Sequence, residues 1–180
     1  MKRRPLAVVG VVILAIVVAF GLFLAGRHPA TEASNAPSPL VGHAAPLFSA
    51  TALNSSAAVS LTALRGRDVV VNFWASWCQP CESESPELST FAWQQSRHTG
   101  GAVLLGVVFN DYATSARAFE RRFGALYSSV LDPEGNVANA YGVVSPPTTF
   151  VINRQGKIVA SFVGPVTATQ LTMAVNAADQ

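Results

Sequence analysis

The pattern of hydrophobic and polar positions changes sharply near the N-terminus of this 180-residue chain. Residues 6–25 contain no charged or strongly polar side chain, and they follow the basic residues Lys2, Arg3 and Arg4. As a helix this run would be about 30 Å long, the thickness of a bilayer's hydrocarbon core. It predicts a transmembrane signal anchor over residues 1–26 with a cytoplasmic N-terminus, because positive flanks stay inside. A cleavable signal peptide is the alternative, and both interpretations place the rest of the chain outside the cytoplasm.

The pattern changes again after the predicted anchor. Residues 27–40 are rich in Ala, Ser, Pro, Thr and Asn and have no hydrophobic periodicity, which indicates a flexible linker. Beyond them, short β-branched and aromatic runs alternate with amphipathic stretches. Residues 41–180 are therefore predicted to form one globular domain of ordinary size.

Within this predicted domain the runs give the element order β-β-β-α-β-α-β-α-β-β-α. The clearest strands are residues 69–74 and 103–109, whose apolar, β-branched character indicates burial on both faces of a sheet. The order predicts an α/β fold with a central mixed β-sheet flanked by helices and an extra N-terminal β-hairpin. The other predicted strands are residues 46–53, 59–61, 129–131, 148–152 and 157–163, and the predicted helices are residues 80–97, 112–123, a short one ending near 141, and 167–177.

Composition and charge narrow the possible functions. The formal net charge is +2, and Lys and Arg are scattered through the domain, so no nucleic-acid-binding surface is predicted. Cys78 and Cys81 are the only two cysteines in the chain. A structural disulfide framework would need more cysteines at larger spacings, and a structural zinc site would usually need four ligands. No metal and no cofactor are therefore predicted. The composition favours redox chemistry at one short loop.

The cysteines lie where a predicted buried strand gives way to a predicted helix. Unpaired N–H groups and the positive end of the helix dipole stabilise a thiolate there, which acidifies the first cysteine. Cys78 precedes the helix and is expected to attack a substrate disulfide. Cys81, in the first turn and more buried, is expected to resolve the mixed disulfide. Two unreactive core cysteines are the alternative, but the flanking Trp77 and the intervening Pro80 argue against it.

Longer motifs around the cysteines resemble a known family. Residues 72–81 read NFWASWCQPC, which closely resembles the active-site stretch of thioredoxin-like proteins. Residues 81–88 fit CxxExPxL and residues 147–152 read PTTFVI, and both are similar to the TlpA/ResA-type branch. The resemblance covers residues 41–177 and implies the thioredoxin-like fold for them. It implies a membrane-anchored, extracytoplasmic enzyme that reduces protein disulfides, including the haem-attachment cysteines of apocytochrome c. It also implies a membrane electron donor of the DsbD/CcdA type.

The resemblance implies further residues of the site. It makes Pro147 the cis-proline that faces the cysteine pair, so a cis peptide bond is expected between Pro146 and Pro147. In the family, the backbone of the residue before this proline pairs with the substrate. Pro146 has no N–H to donate, so that pairing is expected to be weaker or to use only the carbonyl. Trp77, beside the attacking cysteine, is expected to shape the substrate-contacting surface.

One position departs from thioredoxin itself. Thioredoxin carries a buried Asp where this chain has Asn72, and an amide cannot accept the proton of a thiol. Glu84 lies three residues after Cys81, on the same helical face, and is expected to exchange protons in its place. Desolvation beside the thiols would raise the pKa of Glu84 towards the working pH. The alternative is a solvated carboxylate favoured by the helix dipole.

Two other functions stay open from the sequence alone. One is a disulfide-forming oxidase, because the potentials of known Cys pairs span about 150 mV and depend on small changes. The dipeptide Gln79-Pro80 resembles the Gly-Pro of reducing thioredoxins more than the His-containing dipeptide of strong oxidants. The other is a non-catalytic metallochaperone-type module, although copper delivery would call for a Cys-x-x-x-Cys spacing and a distal His.

Overall fold

The computed structural model describes residue 13, residues 16–20 and residues 38–178. The chain divides into two units, Met1–Thr31 and Glu32–Gln180. In the first unit, the described residues are helical and exposed. No helix among the described residues is long and apolar enough to cross a membrane. Most of the predicted anchor and most of the predicted linker lie outside the described residues.

The second unit is built on a five-stranded mixed sheet. Strand β3 (Val69–Trp74) lies at its centre, and all 6 of its residues are buried. It pairs in parallel with β4 (Val103–Phe109) and antiparallel with β6 (Thr148–Ile152). With β5 (Ser128–Asp132) and β7 (Ile158–Val163) at the edges, the strand order is β5-β4-β3-β6-β7. The predicted thioredoxin-like sheet is confirmed.

Helices cover this sheet as the alternating pattern predicts. The last helix begins at a reciprocal cap, which confirms the helix start expected at Thr167. The Thr167 hydroxyl accepts the N–H of Gln170 at 3.2 Å, and the Gln170 side chain accepts the N–H of Thr167 at 2.9 Å. The α-helices described in the second unit are α1 (Gln79–Ser96), α2 (Ala113–Phe123), α3 (Asn136–Ala140) and α4 (Ala168–Ala178).

The predicted N-terminal hairpin is present, with shorter strands than expected. Strands β1 (Ser49–Thr51) and β2 (Ala58–Ser60) pair antiparallel. A 3-10 helix (Leu61–Leu64) follows at once, where the sequence pattern had predicted the end of a strand. The Ser60 hydroxyl caps it by accepting the N–H of Thr62 at 3.2 Å. This cap ends the hairpin strand and turns the chain towards the central strand.

The segment that contains this hairpin, residues 38–61, pairs with both edges of the sheet. On one side, Gly42 donates its N–H to the carbonyl of Ile158 in β7 at 2.8 Å. On the other side, Leu53 donates its N–H to the carbonyl of Ser129 in β5 at 2.8 Å. Edge strands otherwise present unpaired backbone groups to other chains. Both edges of the sheet are therefore occupied by the same N-terminal segment.

The two faces of the sheet differ in chemistry. On one face, Phe73 and Phe150 pack with Tyr141 at ring-centroid distances of 5.1 to 6.0 Å. Successive strand residues point to opposite faces, so the neighbours Asn72 and Thr149 point to the other face. Both of these polar residues are fully buried. The candidate site is built on this second face and at the adjoining end of β3.

Candidate active site

The cysteines lie at the N-terminus of α1, directly after the central strand. Cys78 is the N-cap residue, and its sulfur accepts the N–H of Cys81 at 3.2 Å. The two form a disulfide with a Cα–Cα distance of 5.3 Å. Cys78 is 4% exposed and Cys81 is 2% exposed, so both are buried and the expected contrast in burial is small. The helix N-terminus places unpaired N–H groups beside the first sulfur, as the chemistry of a thiolate requires.

The loop that leads to the cysteines is held by the end of β4. The buried carboxylate of Asp111 accepts the N–H of Ser76 at 2.7 Å. The indole N–H of Trp77 donates to the carbonyl of Asn110 at 3.2 Å. Sequence reasoning missed both loop anchors. An Asn-Asp pair directly after a buried strand is a common turn signal and could have drawn attention to them.

Trp77 presents an aromatic surface beside the disulfide. Its side chain is 57% exposed, and its ring packs against Phe109 with centroids 6.4 Å apart. Tyr112, at the start of α2 and next to the anchoring Asp111, is 81% exposed. A polypeptide that approaches the cysteines from this side would meet aromatic rings, which bury large areas at low entropic cost.

A cis peptide bond joins Pro146 and Pro147, as the sequence predicts. The loop directly precedes β6, and Thr148 pairs with Phe73 in the register of the sheet. The cis-proline loop therefore lies at the same end of the sheet as the cysteine pair. The Pro147 carbonyl accepts the N–H of Gly164 at 2.9 Å, which fixes the loop to the chain after β7.

Glu84 lies below the cysteines on α1 and is 1% exposed. Its Oε1 accepts the N–H of Val166 at 3.0 Å, and its Oε2 accepts a hydrogen bond from Asn72 Nδ2 at 3.1 Å. Burial raises the pKa of Glu84 to about 7, although both hydrogen bonds lower it. The alternative of a solvated helix carboxylate is wrong. The carboxyl group is poised to gain and lose a proton near neutral pH.

Asn72 links this carboxyl group to the sheet. Its Nδ2 also donates to the hydroxyl of Thr149 at 2.9 Å, across the β3–β6 pair. Its Oδ1 is buried and has no hydrogen-bond partner among the described residues. The position that holds an acid in thioredoxin thus holds an amide that orients another acid, Glu84. Sequence reasoning singled out Asn72 and Glu84 but did not place Val166 or Thr149 with them.

A family model described as Redoxin matches residues 40–179. The chain belongs to the redoxin family. Thiol-disulfide oxidoreductase ResA of Geobacillus thermodenitrificans is 31% identical to this redoxin over 166 residues, which cover 92% of this chain and 91% of that protein. Thiol:disulfide interchange protein HelX of Rhodobacter capsulatus is 30% identical over 175 residues, with coverages of 96% and 94%.

A solved structure supports the same assignment of fold. The crystal structure of a secreted thiol-disulfide isomerase from Corynebacterium glutamicum is similar to this redoxin with a TM-score of 0.68 and 30% identity. The matched region covers 75% of this chain and 85% of the Corynebacterium glutamicum chain. Together with the Cys78–Cys81 disulfide, these relatives make this redoxin a ResA-type thiol-disulfide oxidoreductase that acts on protein disulfides.

Proposed function

We propose that this redoxin reduces protein disulfides outside the cytoplasm, with Cys78 as the attacking residue and Cys81 as the resolving residue. The observation that carries this proposal is the disulfide at the N-terminus of α1 with a buried carboxyl of pKa about 7 on the same helix. The reduced Cys78 thiolate attacks one sulfur of the substrate disulfide. A mixed disulfide forms, and the first substrate sulfur leaves as a thiolate.

Glu84 acts in the second half of this cycle. The Cys81 thiol gives its proton to the carboxylate of Glu84 and attacks the Cys78 sulfur of the mixed disulfide. The Cys78–Cys81 disulfide forms, and the second substrate sulfur leaves as a thiolate. The substrate gains two electrons and the cysteine pair loses two. The proton on Glu84 then passes to the departing thiolate or to water.

The residues that flank the cysteine pair contact the substrate in this proposal. Trp77 offers an exposed aromatic face on the side of α2, and the cis-proline loop offers a backbone edge on the side of β6. Because Pro146 has no N–H, it can pair with an extended substrate only through its carbonyl. Pro147 holds that carbonyl in place through the bond between its own carbonyl and Gly164.

The proposed substrates include apocytochrome c with oxidised haem-attachment cysteines. This rests on the motifs shared with the TlpA/ResA branch, such as the Glu84 and Pro86 that follow Cys81. Each turnover leaves the pair oxidised, as it is in this structure, so reduction must come from outside the domain. A membrane electron donor of the DsbD/CcdA type would meet this need.

The proposed location follows from the N-terminal sequence. Residues 1–26 anchor the chain in the membrane with the N-terminus in the cytoplasm, residues 27–40 form a flexible linker, and residues 41–180 form the catalytic domain. N-terminal sequencing of the membrane fraction should give the intact start of the chain. A mature protein that begins near Arg27 and is free in the medium would show cleavage instead.

The direction of the reaction is tested by the redox potential together with insulin reduction. For a reductase we expect a potential near that of thioredoxin, about −270 mV, and rapid insulin reduction with a thiol donor. A potential near that of DsbA, about −120 mV, would make the enzyme an oxidase. The Cys78→Ser, Cys81→Ser double variant is the control. Insulin reduction no faster than in this control would identify a non-catalytic binding module.

A further inference from the structure

The side-chain amide of Asn72 has one paired end and one unpaired end. Its Nδ2 donates to Glu84 Oε2 at 3.1 Å and to Thr149 Oγ1 at 2.9 Å. Its Oδ1 is buried without a partner among the described residues. Asn72 itself is 0% exposed, so the amide does not face bulk solvent. Buried polar groups are nearly always paired, and an exception calls for an explanation.

The two protonation states of Glu84 need different partners. The ionised carboxylate accepts one N–H on each oxygen, from Val166 and from Asn72. A protonated carboxyl group is also a donor, and its O–H needs an acceptor. In the present arrangement a hydrogen on Oε2 would meet the hydrogens on Asn72 Nδ2. The observed orientation of the amide therefore suits the ionised state, in which both carboxylate oxygens only accept.

We propose that Asn72 is a positioning residue whose side-chain amide reverses when Glu84 takes up a proton. After rotation by about 180°, Oδ1 occupies the present place of Nδ2. There it accepts the O–H of Glu84 and the hydroxyl hydrogen of Thr149, which is free to turn. The Nδ2 group moves to the present place of Oδ1. One end of the amide is unpaired in either state, so the protonation state of Glu84 decides which orientation is favoured.

The other titratable groups around Glu84 leave this role to Asn72. Burial, together with the charges of Glu84 and Glu120, raises the pKa of Tyr127, so this phenol stays neutral. On α1, the carboxylate of Glu87 accepts the N–H of Ala168 at 2.9 Å. From the sheet, β3 and β6 present the uncharged side chains of Asn72 and Thr149. The segment before α4 presents the backbone N–H of Val166.

This inference deepens the proposed function, since it rests on Glu84 as the proton acceptor of Cys81. It also gives a reason for an amide where thioredoxin has an acid. An Asp at position 72 would put a second carboxyl about as close to Glu84 as the amide nitrogen is now, 3.1 Å. Two acids at this distance share one proton and titrate as a pair. An amide can present either a donor or an acceptor at one place without changing its charge.

The first test is the pH profile of insulin reduction by the full chain. Asn72→Leu removes a charge-assisted bond to the carboxylate and a weaker neutral bond to the protonated carboxyl group, so the inflection assigned to Glu84 should move up by less than about one pH unit. Asn72→Asp should move it further up, because the pair of acids keeps one proton to higher pH. Thr149→Val is the matched control: it removes the other partner of Asn72 and should leave the inflection in place. An unchanged profile in both Asn72 variants would overturn the positioning role.

The second test observes the reversal directly. In the full chain in detergent micelles, with 15N-labelled Asn and 13C-labelled Glu, we would measure the coupling across the Asn72–Glu84 hydrogen bond. Two pH units above the Glu84 pKa of about 7, the coupling from Nδ2 should be present. Two units below it, this coupling should be lost while the Glu84 carboxyl carbon shows protonation. A coupling that persists with a protonated Glu84 would overturn the reversal.

These outcomes separate the inference from the proposed function. Reversal of the amide in an enzyme that does not reduce insulin would uphold the inference about Asn72 and overturn the proposed reductase. Rapid reduction of insulin without reversal of the amide would uphold the proposed reductase and overturn the inference about Asn72.

Discussion

The two faces of the central sheet use the same strands for different purposes. On one face Phe73 and Phe150 pack with Tyr141 in an aromatic cluster, and on the other Asn72 holds the buried Glu84. Burial of aromatic surface stabilises the fold by about 25 cal/mol for each Å² removed from water. Burial of an ionised carboxylate opposes folding. The comparison shows that neighbouring residues of one strand make opposite contributions to folding on the two faces of the sheet.

The largest expected effect is the loss of activity when the resolving cysteine is replaced. Cys81→Ser should abolish turnover, because the mixed disulfide on Cys78 can no longer be resolved. Substrates should accumulate as adducts on non-reducing gels of cell extracts. Cys78→Ser is the matched control and should give no adducts. Adducts in Cys78→Ser and none in Cys81→Ser would reverse the assignment of the two roles.

The next effect belongs to the aromatic face. Phe150→Ala removes a ring from the cluster with Phe73 and Tyr141 and should lower the free energy of unfolding by about 3–5 kcal/mol. Urea denaturation of the full chain measures this loss. The redox potential of the cysteine pair should stay the same under conditions where the variant is folded. A changed potential would show that the two faces are coupled.

Glu84→Gln tests the catalytic face without removing a ring. The isosteric amide should preserve the fold and slow disulfide reduction by at most about 10²-fold, the low end for a general base. The inflection of the rate near pH 7 should disappear with the carboxyl group. Unchanged turnover together with unchanged thiol titration would remove Glu84 from the mechanism.

The same variant should change how stability depends on pH. The pKa of Glu84 is raised from 4.5 to about 7 in the folded chain, so the folded state holds the proton more tightly. This contribution is complete below pH 4.5 and is lost as pH rises through 7, which lowers the free energy of unfolding by about 3 kcal/mol. Glu84→Gln should reduce this loss in the free energy of unfolding between pH 4.5 and 7. A wild-type chain whose stability rises between these pH values would contradict the burial argument.

The smallest expected effect concerns the surface above the cysteines. Trp77→Ala should raise the KM for insulin about fivefold, or about 1 kcal/mol, with little change in kcat, because the ring is proposed to contact substrate and to take no part in proton transfer. Since the side chain is 57% exposed, thermal stability should change little. Loss of kcat with an unchanged KM would assign Trp77 to positioning of the cysteines.

The fold follows from the sequence where one hydrophobic period dominates. The runs at residues 69–74 and 103–109 match the central strands, because uninterrupted β-branched residues fit a doubly buried strand. The 3-10 helix (Leu61–Leu64) was missed, since a four-residue element shows no period of its own. Its start depends on the local cap from Ser60, which overrides the strand pattern before it.

The site was predictable only as far as its contacts are local. The Cys78–Cys81 spacing and the helical step to Glu84 are visible in the sequence. The N–H that Glu84 accepts comes from Val166, 82 residues later, and no pattern announces that pair. Asp111, which holds the backbone before the cysteines, lies 35 residues beyond its partner. Long-range polar contacts of this kind depend on the finished sheet.

The segment that covers both sheet edges has a consequence for synthesis of the chain. Near its start, Ser38 donates its N–H to the hydroxyl of Ser161, which lies 123 residues later in the chain. Ser38 is therefore synthesised well before its partner. At about 5–20 residues per second, Ser38 waits about 6–25 s for its partner. During this interval it must not pair with other chains. The Asn and Ser residues at 54–56 break its short apolar runs, so a run of β-branched residues there should lower the yield of the chain in the cell.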